Sequence, residues 1–344
     1  MKSRVNLLRG LSPWALSLLL AGCNGGDIGK YPQTIYDPRS DYAEQLLDLQ
    51  NFITILGVVV GLLVFALMAY ILYRFRYQPG MPEPEHVHGN TRLELLWTLI
   101  PALILAVVAV PTVRTIFATQ RRPPENSVVV DVIGWQWWWE FKYAIGKDTV
   151  RTANEIHVPV GTPVLLRMTA GDVLHSFWVP QMGGKRDLIN NKTNHILFTP
   201  REPGLYLGQC AEFCGDSHAL MKMRLIAHEP REFQAWLRNE ASPAVEPTDS
   251  ALALGRRLVT GGACVGCHTI EGTNMRGRTG PNLTHFGRRR TLAAGVLENN
   301  AENLAAWITN APAVKPGAKM PSLESMGIPE NAVPYMVAYL QSLQ

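Results

Sequence analysis

The sequence predicts a multidomain membrane protein made of a two-helix transmembrane hairpin, an all-β domain and an all-α domain. Three observations predict it: two long uncharged apolar stretches, a series of short apolar segments separated by turn residues, and helical patterning that resumes beyond a proline-bearing linker. The chain has 344 residues, room for two or three domains at roughly 100 to 200 residues each. Hydrophobic residues make up 47% and charged residues 17%, which excludes a largely disordered chain. A net charge of +4 is too mild to imply nucleic acid. Five cysteines is an odd number, so a closed set of disulfides does not cover them.

The N-terminus sets the topology. Residues 1–23 run from Lys2, Arg4 and Arg9 through the apolar stretch Trp14 to Leu20 and end in Leu20-Ala21-Gly22-Cys23, the layout of a secretory signal. The ending resembles the lipobox of bacterial lipoproteins, which implies lipidation of Cys23; an ordinary signal or an uncleaved first helix are the alternatives. Asn51–Tyr73 and Leu95–Val113 are uncharged and meet the length of about 20 residues, at about 1.5 Å each, that crosses a hydrocarbon core. The spans are placed at about 51–73 and 95–117. Pro101 and Pro111 are tolerated in a membrane helix packed against neighbours. Basic residues do not decide the orientation, since Arg74, Arg76 and Arg92 in the loop face Arg114, Arg121 and Arg122 beyond it. A lipobox cysteine on the exported face, followed by two crossings, puts everything after about residue 115 on the periplasmic side of a bacterial inner membrane. The 74–94 loop is then cytoplasmic.

From Ser127 to Ala227 the segments Val128–Val130 leading to Trp135–Trp139, Ile156–Val160, Val164–Met168 and Ile196–Thr199 read as strands. Turn signals at 160–163, 183–184 and 202–204 separate them, the pattern of a β-sandwich or barrel. Residues 240–250 read as a linker with two prolines. Beyond it, Leu252–Val259, Asn303–Asn310 and Asn331–Leu343 are helix candidates. The expected partition is a signal at 1–23, the membrane segment at 24–120, the β domain at 121–239, the linker at 240–250 and the α domain at 251–344.

Cys210-Ala-Glu212-Phe-Cys214-Gly-Asp-Ser-His218-Ala-Leu-Met221 places two thiols, an imidazole and a thioether in twelve residues, and His175 sits in a preceding loop. Soft thiolate and thioether donors with imidazoles select copper. Two bridging thiolates, one imidazole apiece, and Met221 and the carbonyl of Glu212 as weak axial donors would complete two four-coordinate metals. A tetrahedral zinc site and a Cys210–Cys214 disulfide compete with this reading, and neither uses Met221.

This string, with Val173-Leu-His-Ser-Phe177 and Trp135-Gln-Trp137 upstream, resembles the CuA domain of cytochrome c oxidase subunit II, over about residues 35–235. The resemblance implies a cupredoxin-like all-β CuA domain with His175, Cys210, Glu212 (through its carbonyl), Cys214, His218 and Met221 as copper ligands. It implies a magnesium ion shared between the Glu212 carboxylate and subunit I. It also implies that Trp137, with Trp138, lies over the copper at the donor-docking surface, against the alternative of a core-facing or interfacial aromatic cluster. Glu94, in Glu-Leu-Leu-Trp-Thr-Leu-Ile-Pro, resembles a glutamate near a proton inlet into subunit I; otherwise it marks the membrane boundary. Related quinol oxidase subunits resemble this fold without the ligands, which disfavours a quinol-oxidising role.

Cys264-Val-Gly-Cys267-His268 is the haem-attachment pattern of c-type cytochromes. Two thiols form thioethers with the haem vinyls and the adjacent histidine is held beneath the iron. The resemblance implies an all-α class I cytochrome c domain, with Met320 in Lys319-Met320-Pro321 as the sixth ligand and Gly280-Pro281-Asn282-Leu283 lining the proximal side. His285 is the runner-up ligand. Met326 and Met336 are expected in core or surface positions, as are His86, His88, His157, His195 and His228.

Together these resemblances imply subunit II of a haem-copper cytochrome c oxidase with a fused cytochrome c. Its haem would take electrons from an external cytochrome c or other donor and feed the copper pair, which would serve the oxygen-reducing, proton-pumping subunit I, with subunit III as a further partner. The CuA subunit of a nitric oxide reductase and a stand-alone membrane-anchored electron carrier are the alternatives; for the latter a single anchor would suffice. The cysteines divide into Cys23 for lipid, Cys210 and Cys214 for copper, and Cys264 and Cys267 for haem.

Overall fold

The structure is a computed structural model that describes residues 31–344 except 84, 87, 146 and 147. The signal and Cys23 lie outside the described residues. Helices α1 (Asp41–Arg74) and α2 (Thr91–Thr119) form the hairpin, and both are longer than the apolar stretches that announced them. The reason is capping. Ser40 accepts from the Ala43 N–H and starts α1 ten residues before the uncharged stretch, and Asn90 accepts from Arg92 and Leu93 to start α2. The extra turns of α1 pack on the β domain: Tyr42 and Ala43 are buried, and the Ser40 hydroxyl donates to the Met182 carbonyl. Gly183, at φ +143°, leaves room for the Tyr42 ring, which a Cβ there would meet at 2.2 Å. The remaining length of both helices presents unburied leucine, valine and phenylalanine outward, as a lipid-facing hairpin does.

The β domain is a sandwich of two five-stranded sheets. One runs β3 (Asp148–Ala153), β2 (Trp138–Ile145), β1 (Val128–Trp135), β5 (Val164–Ala170), β8 (Asn194–Phe198). The other runs β4 (Glu155–Pro159), β10 (Lys222–His228), β9 (Gly204–Cys210), β6 (His175–Trp178), β7 (Arg186–Leu188). Alternation decides which side faces in. Val130 and Val132 of β1 are fully buried, while Asp131 between them points out and pairs with Arg167, its register partner on β5, at 2.6 Å. The core includes Trp139 set edge-on to Phe177 at 5.8 Å between centroids, a contact worth about 0.5–1.5 kcal/mol beyond burial.

Helix α3 (Pro230–Glu240) follows β10 and closes the sandwich with Phe233 and Trp236; its proline at the first turn and its i, i+3 aromatics are helix signals that the strand reading passed over. The linker is not free. Ala244 N–H bonds to the Glu271 carbonyl and Glu246 pairs with Arg256, so it packs on the domain it leads to. That domain contains α4 (Ser250–Gly261), α5 (Ala301–Thr309), α6 (Ala311–Val314) and α7 (Val333–Ser342), plus a two-stranded ladder of β11 (Thr291–Leu292) and β12 (Leu297–Glu298). Gly255 lets α4 and α7 touch: a Cβ there would sit 2.0 Å from the Tyr335 carbonyl oxygen.

Candidate metal centre and haem cavity

Strand pairing builds the first site. The antiparallel contact of β6 with β9 sets Phe177 opposite Cys210 and so brings His175 to the end of β9. Cys210 and Cys214 Sγ atoms are 3.8 Å apart; His175 Nδ1 is 3.9 Å from Cys210 Sγ, and His218 Nδ1 is 3.6 Å from Cys214 Sγ. Met221 Sδ stands 3.9 Å from Cys214 Sγ, and the Glu212 carbonyl is 3.2 Å from Cys210 Sγ. All six sequence-derived donors therefore converge, and His175, Cys210 and Cys214 are buried.

The surroundings fix their chemical state. The carboxylate of Asp172 accepts from His175 Nε2 at 2.9 Å, which leaves Nδ1 with its lone pair toward the sulfurs. Burial works against ionisation of Asp172, but hydrogen bonds from His175 and from the N–H groups of Gln136 and Val173 outweigh it and hold its pKa at about 2. The thiol of Cys214 bonding to Cys210 pulls Cys210 well below the usual thiol range, and the same contact with burial pushes Cys214 up. A thiophilic cation bound at the two sulfurs would displace the remaining thiol proton. A buried cluster of two sulfur anions, a thioether, two imidazoles and a carbonyl fits copper.

The second site is a cavity of about 320 Å³ lined by Cys264, Cys267, His268, Gly280, Pro281 and Met320. His268 Nδ1 donates to the Pro281 carbonyl at 2.8 Å, freeing Nε2, and burial lowers the pKa so that the ring stays neutral. Gly280 lies flat on the ring; a Cβ there would meet Cε1 at 2.7 Å. A cavity with two thiols at its rim, a neutral imidazole and a thioether on its walls fits a covalently held haem. Met326 also lines the cavity, whereas Met275 and Met336 are core residues. The runner-up ligand His285 is withdrawn: its nitrogens face the carbonyls of Gln344 and Ser242, at 2.7 and 2.9 Å.

The two sites share a wall. Trp135, Gln136, Trp137 and Trp138 of the β domain border the haem cavity. Trp137 Nε1 donates to the Cys214 carbonyl at 3.0 Å. Across the junction, Thr291 N–H donates to Glu155 at 2.9 Å and Lys222 N–H donates to the Ala294 carbonyl at 3.0 Å. Sequence reasoning missed Asp172, which bonds to His175 three residues on, Lys315, which bonds to the Trp137 carbonyl, and Lys319, which pairs with Asp172. Glu94 is exposed at the start of α2, where its carboxylate accepts from the Asn90 N–H, and Glu212 is half-buried beside the copper loop.

A sandwich with a two-thiolate metal cluster, bordering a haem cavity and rooted in a membrane hairpin, defines a membrane-bound electron-transfer protein. Three family models match in chain order: the cytochrome c oxidase subunit II transmembrane domain over residues 30–115, the cytochrome c oxidase subunit II periplasmic domain over 145–227, and cytochrome c over 252–344. The chain is 39% identical to a cytochrome c oxidase subunit 2 of Alkalihalophilus pseudofirmus, over 96% of this chain and 95% of that one. It is 33% identical to one from Bacillus sp. strain PS3, over 98% and 99%, and 34% identical to one from Bacillus subtilis, over 92% and 91%. The chain belongs to the cytochrome c oxidase subunit II family, carries copper and haem domains, and is a membrane-bound subunit of a haem-copper oxidase complex.

Proposed function

We propose that this chain is the electron-accepting subunit of its oxidase, with both soluble domains on the periplasmic side of a bacterial inner membrane, N-terminally lipidated at Cys23. The observation that carries the proposal is the shared wall: Trp137 borders the haem cavity and bonds to the main chain of a copper ligand. Cys264 and Cys267 would hold the haem covalently, and His268 and Met320 would bind its iron. Cys210, Cys214, His175, His218, Met221 and the Glu212 carbonyl would hold two copper ions. When bound, these groups supply reversible one-electron carriage from an external donor, such as a cytochrome c, toward the oxygen-reducing site of subunit I.

The protein's own residues orient and insulate. Asp172 sets the His175 tautomer, Pro281 sets that of His268, and Trp137 with Trp138 excludes water between the sites. The half-buried Glu212 also offers its carboxylate to a magnesium ion shared with subunit I. Glu94 lies at the cytoplasmic membrane boundary as a proton-inlet residue, and subunit III completes the set of partners. The partition taken with this reading is a signal at 1–23, a membrane segment at 24–120, a copper domain at 121–239, a linker at 240–250 and a cytochrome domain at 251–344. All three relatives bear the cytochrome c oxidase name, which favours this over a nitric oxide reductase subunit or a stand-alone carrier.

The test is spectroscopy of the purified full-length protein loaded with copper and haem. A mixed-valence copper-pair EPR signal, together with haem that stays on the chain after denaturation, is the expected result. Absence of either refutes the proposal.

A further inference from the structure

Resting on that reading, we propose that Lys315 is a positioning residue for electron transfer between the two halves: its ammonium ties the loop that carries Met320 to the main chain of Trp137 and sets a positive charge beside the copper loop. Lys315 is only 3% exposed. Its Nζ donates to the Trp137 carbonyl at 2.7 Å and to the Ala293 carbonyl at 3.2 Å, one from each side of the junction. The ring of that same Trp137 donates to the Cys214 carbonyl. A continuous route of hydrogen bonds and one residue's covalent frame thus joins the Met320 loop to a copper ligand.

Neighbours in the loop support the same placement. Gly317, at φ +75°, lies on the Trp137 ring, which a Cβ would meet at 2.7 Å, and the Ser217 hydroxyl donates to the Pro316 carbonyl. Lys319 stands 3.6 Å from Asp172, the residue that orients His175, but Lys319 is exposed and such a pair contributes little by itself. Lys315 differs in being buried without a carboxylate partner among the described ion pairs. Burial lowers its pKa to about 7, so the two carbonyls that accept from Nζ, rather than an ion pair, hold the side chain in place. An apolar side chain would fill this volume without the cost of desolvating an ammonium. What only lysine supplies here is the pair of donors and the charge.

In the transfer, one electron leaves the haem iron, which goes from ferrous to ferric, and reduces the copper pair by one. No bond forms or breaks at Lys315 and no proton leaves it. The charge favours the reduced copper pair, and the donors fix the approach of the two halves.

The test uses the assembled oxidase with Lys315→Met and Lys315→Arg. In Lys315→Met, transfer from photoreduced haem to copper slows by roughly tenfold or more and the copper midpoint potential falls; Lys315→Arg recovers most of both. A wild-type rate and potential in Lys315→Met overturn the proposal while leaving the function standing. A wild-type oxidase without both centres overturns both together. Amine labelling of the native wild-type complex adds a measurement independent of folding in the variants. Lys315 should be protected relative to Lys319, which is 65% exposed, and equal labelling overturns the proposal.

Discussion

The indole Nε1 of Trp137 lies 3.0 Å from the carbonyl oxygen of Cys214, and the same residue borders the haem cavity. One side chain is therefore anchored on the main chain of a proposed copper ligand and borders the cavity proposed for the haem. Trp137→Phe keeps an aromatic ring but removes the indole N–H donor, whose hydrogen bond is worth about 0.5–1.5 kcal/mol. Transfer from haem to copper is expected to slow by roughly tenfold, with both centres spectroscopically intact. Trp138 is half-buried and stacks on Trp135 at 6.4 Å, so Trp138→Phe should slow transfer less. Flash photolysis of the two variants, side by side, checks the order.

Copper removal should expose two thiols. Cys210 and Cys214 Sγ atoms lie 3.8 Å apart, and on the proposed reading Cys264 and Cys267 are the thiols taken up by haem. Mass spectrometry with a thiol reagent is expected to add no label to the loaded protein and two after chelation under reducing conditions. Four labels would remove the haem thioethers from the picture, and a disulfide in the loaded protein would remove the copper thiolates.

Met320→Ala should leave the haem attached, since Cys264 and Cys267 are untouched, and should change its spin state as the sixth ligand is lost. An unchanged optical spectrum would move that ligand elsewhere.

The β domain carries a pH dependence away from the metals. His157 Nδ1 and His228 Nε2 are 2.7 Å apart, and His157 stacks on Trp236 at 4.1 Å. Burial, then the neighbouring His228 and Arg290, drives the His157 pKa well down; burial also lowers His228, against the pull of Glu232. Below about pH 6.5 the unfolded chain takes up protons that the folded one refuses, so stability is complete above that pH and falls as pH drops through it, by roughly 1.4 kcal/mol per pH unit for each proton. Thermal melts at about pH 7.5 and about pH 5.5 should show the loss, and His157→Phe, which keeps the stack on Trp236, should reduce it. A pH-independent melting temperature in the wild type would contradict this.

The sequence made the copper loop legible because five of its six donors lie within twelve residues, and the haem motif legible because it is five residues long. It could not show why His175 joins them, since a 35-residue separation is closed only by the β6–β9 pairing. The hairpin was legible from hydropathy but not its length, because capping by Ser40 and burial of Tyr42 extend α1 beyond the apolar run. Strands β6 and β7 are too short for alternation to register. The linker's composition spoke for flexibility, whereas Ala244 and Glu246 pack it down. Nothing in the sequence singles out Lys315, which only the fold places against Trp137.

The most direct test of the central claim, that the chain carries its own electron donor seated on its copper loop, is the rate of haem-to-copper electron transfer in the loaded full-length protein as concentration and salt are varied. With the donor docked in the same chain, the rate should be independent of both. A rate that rises in proportion to protein concentration would contradict the claim, because the electron would then be passing between molecules.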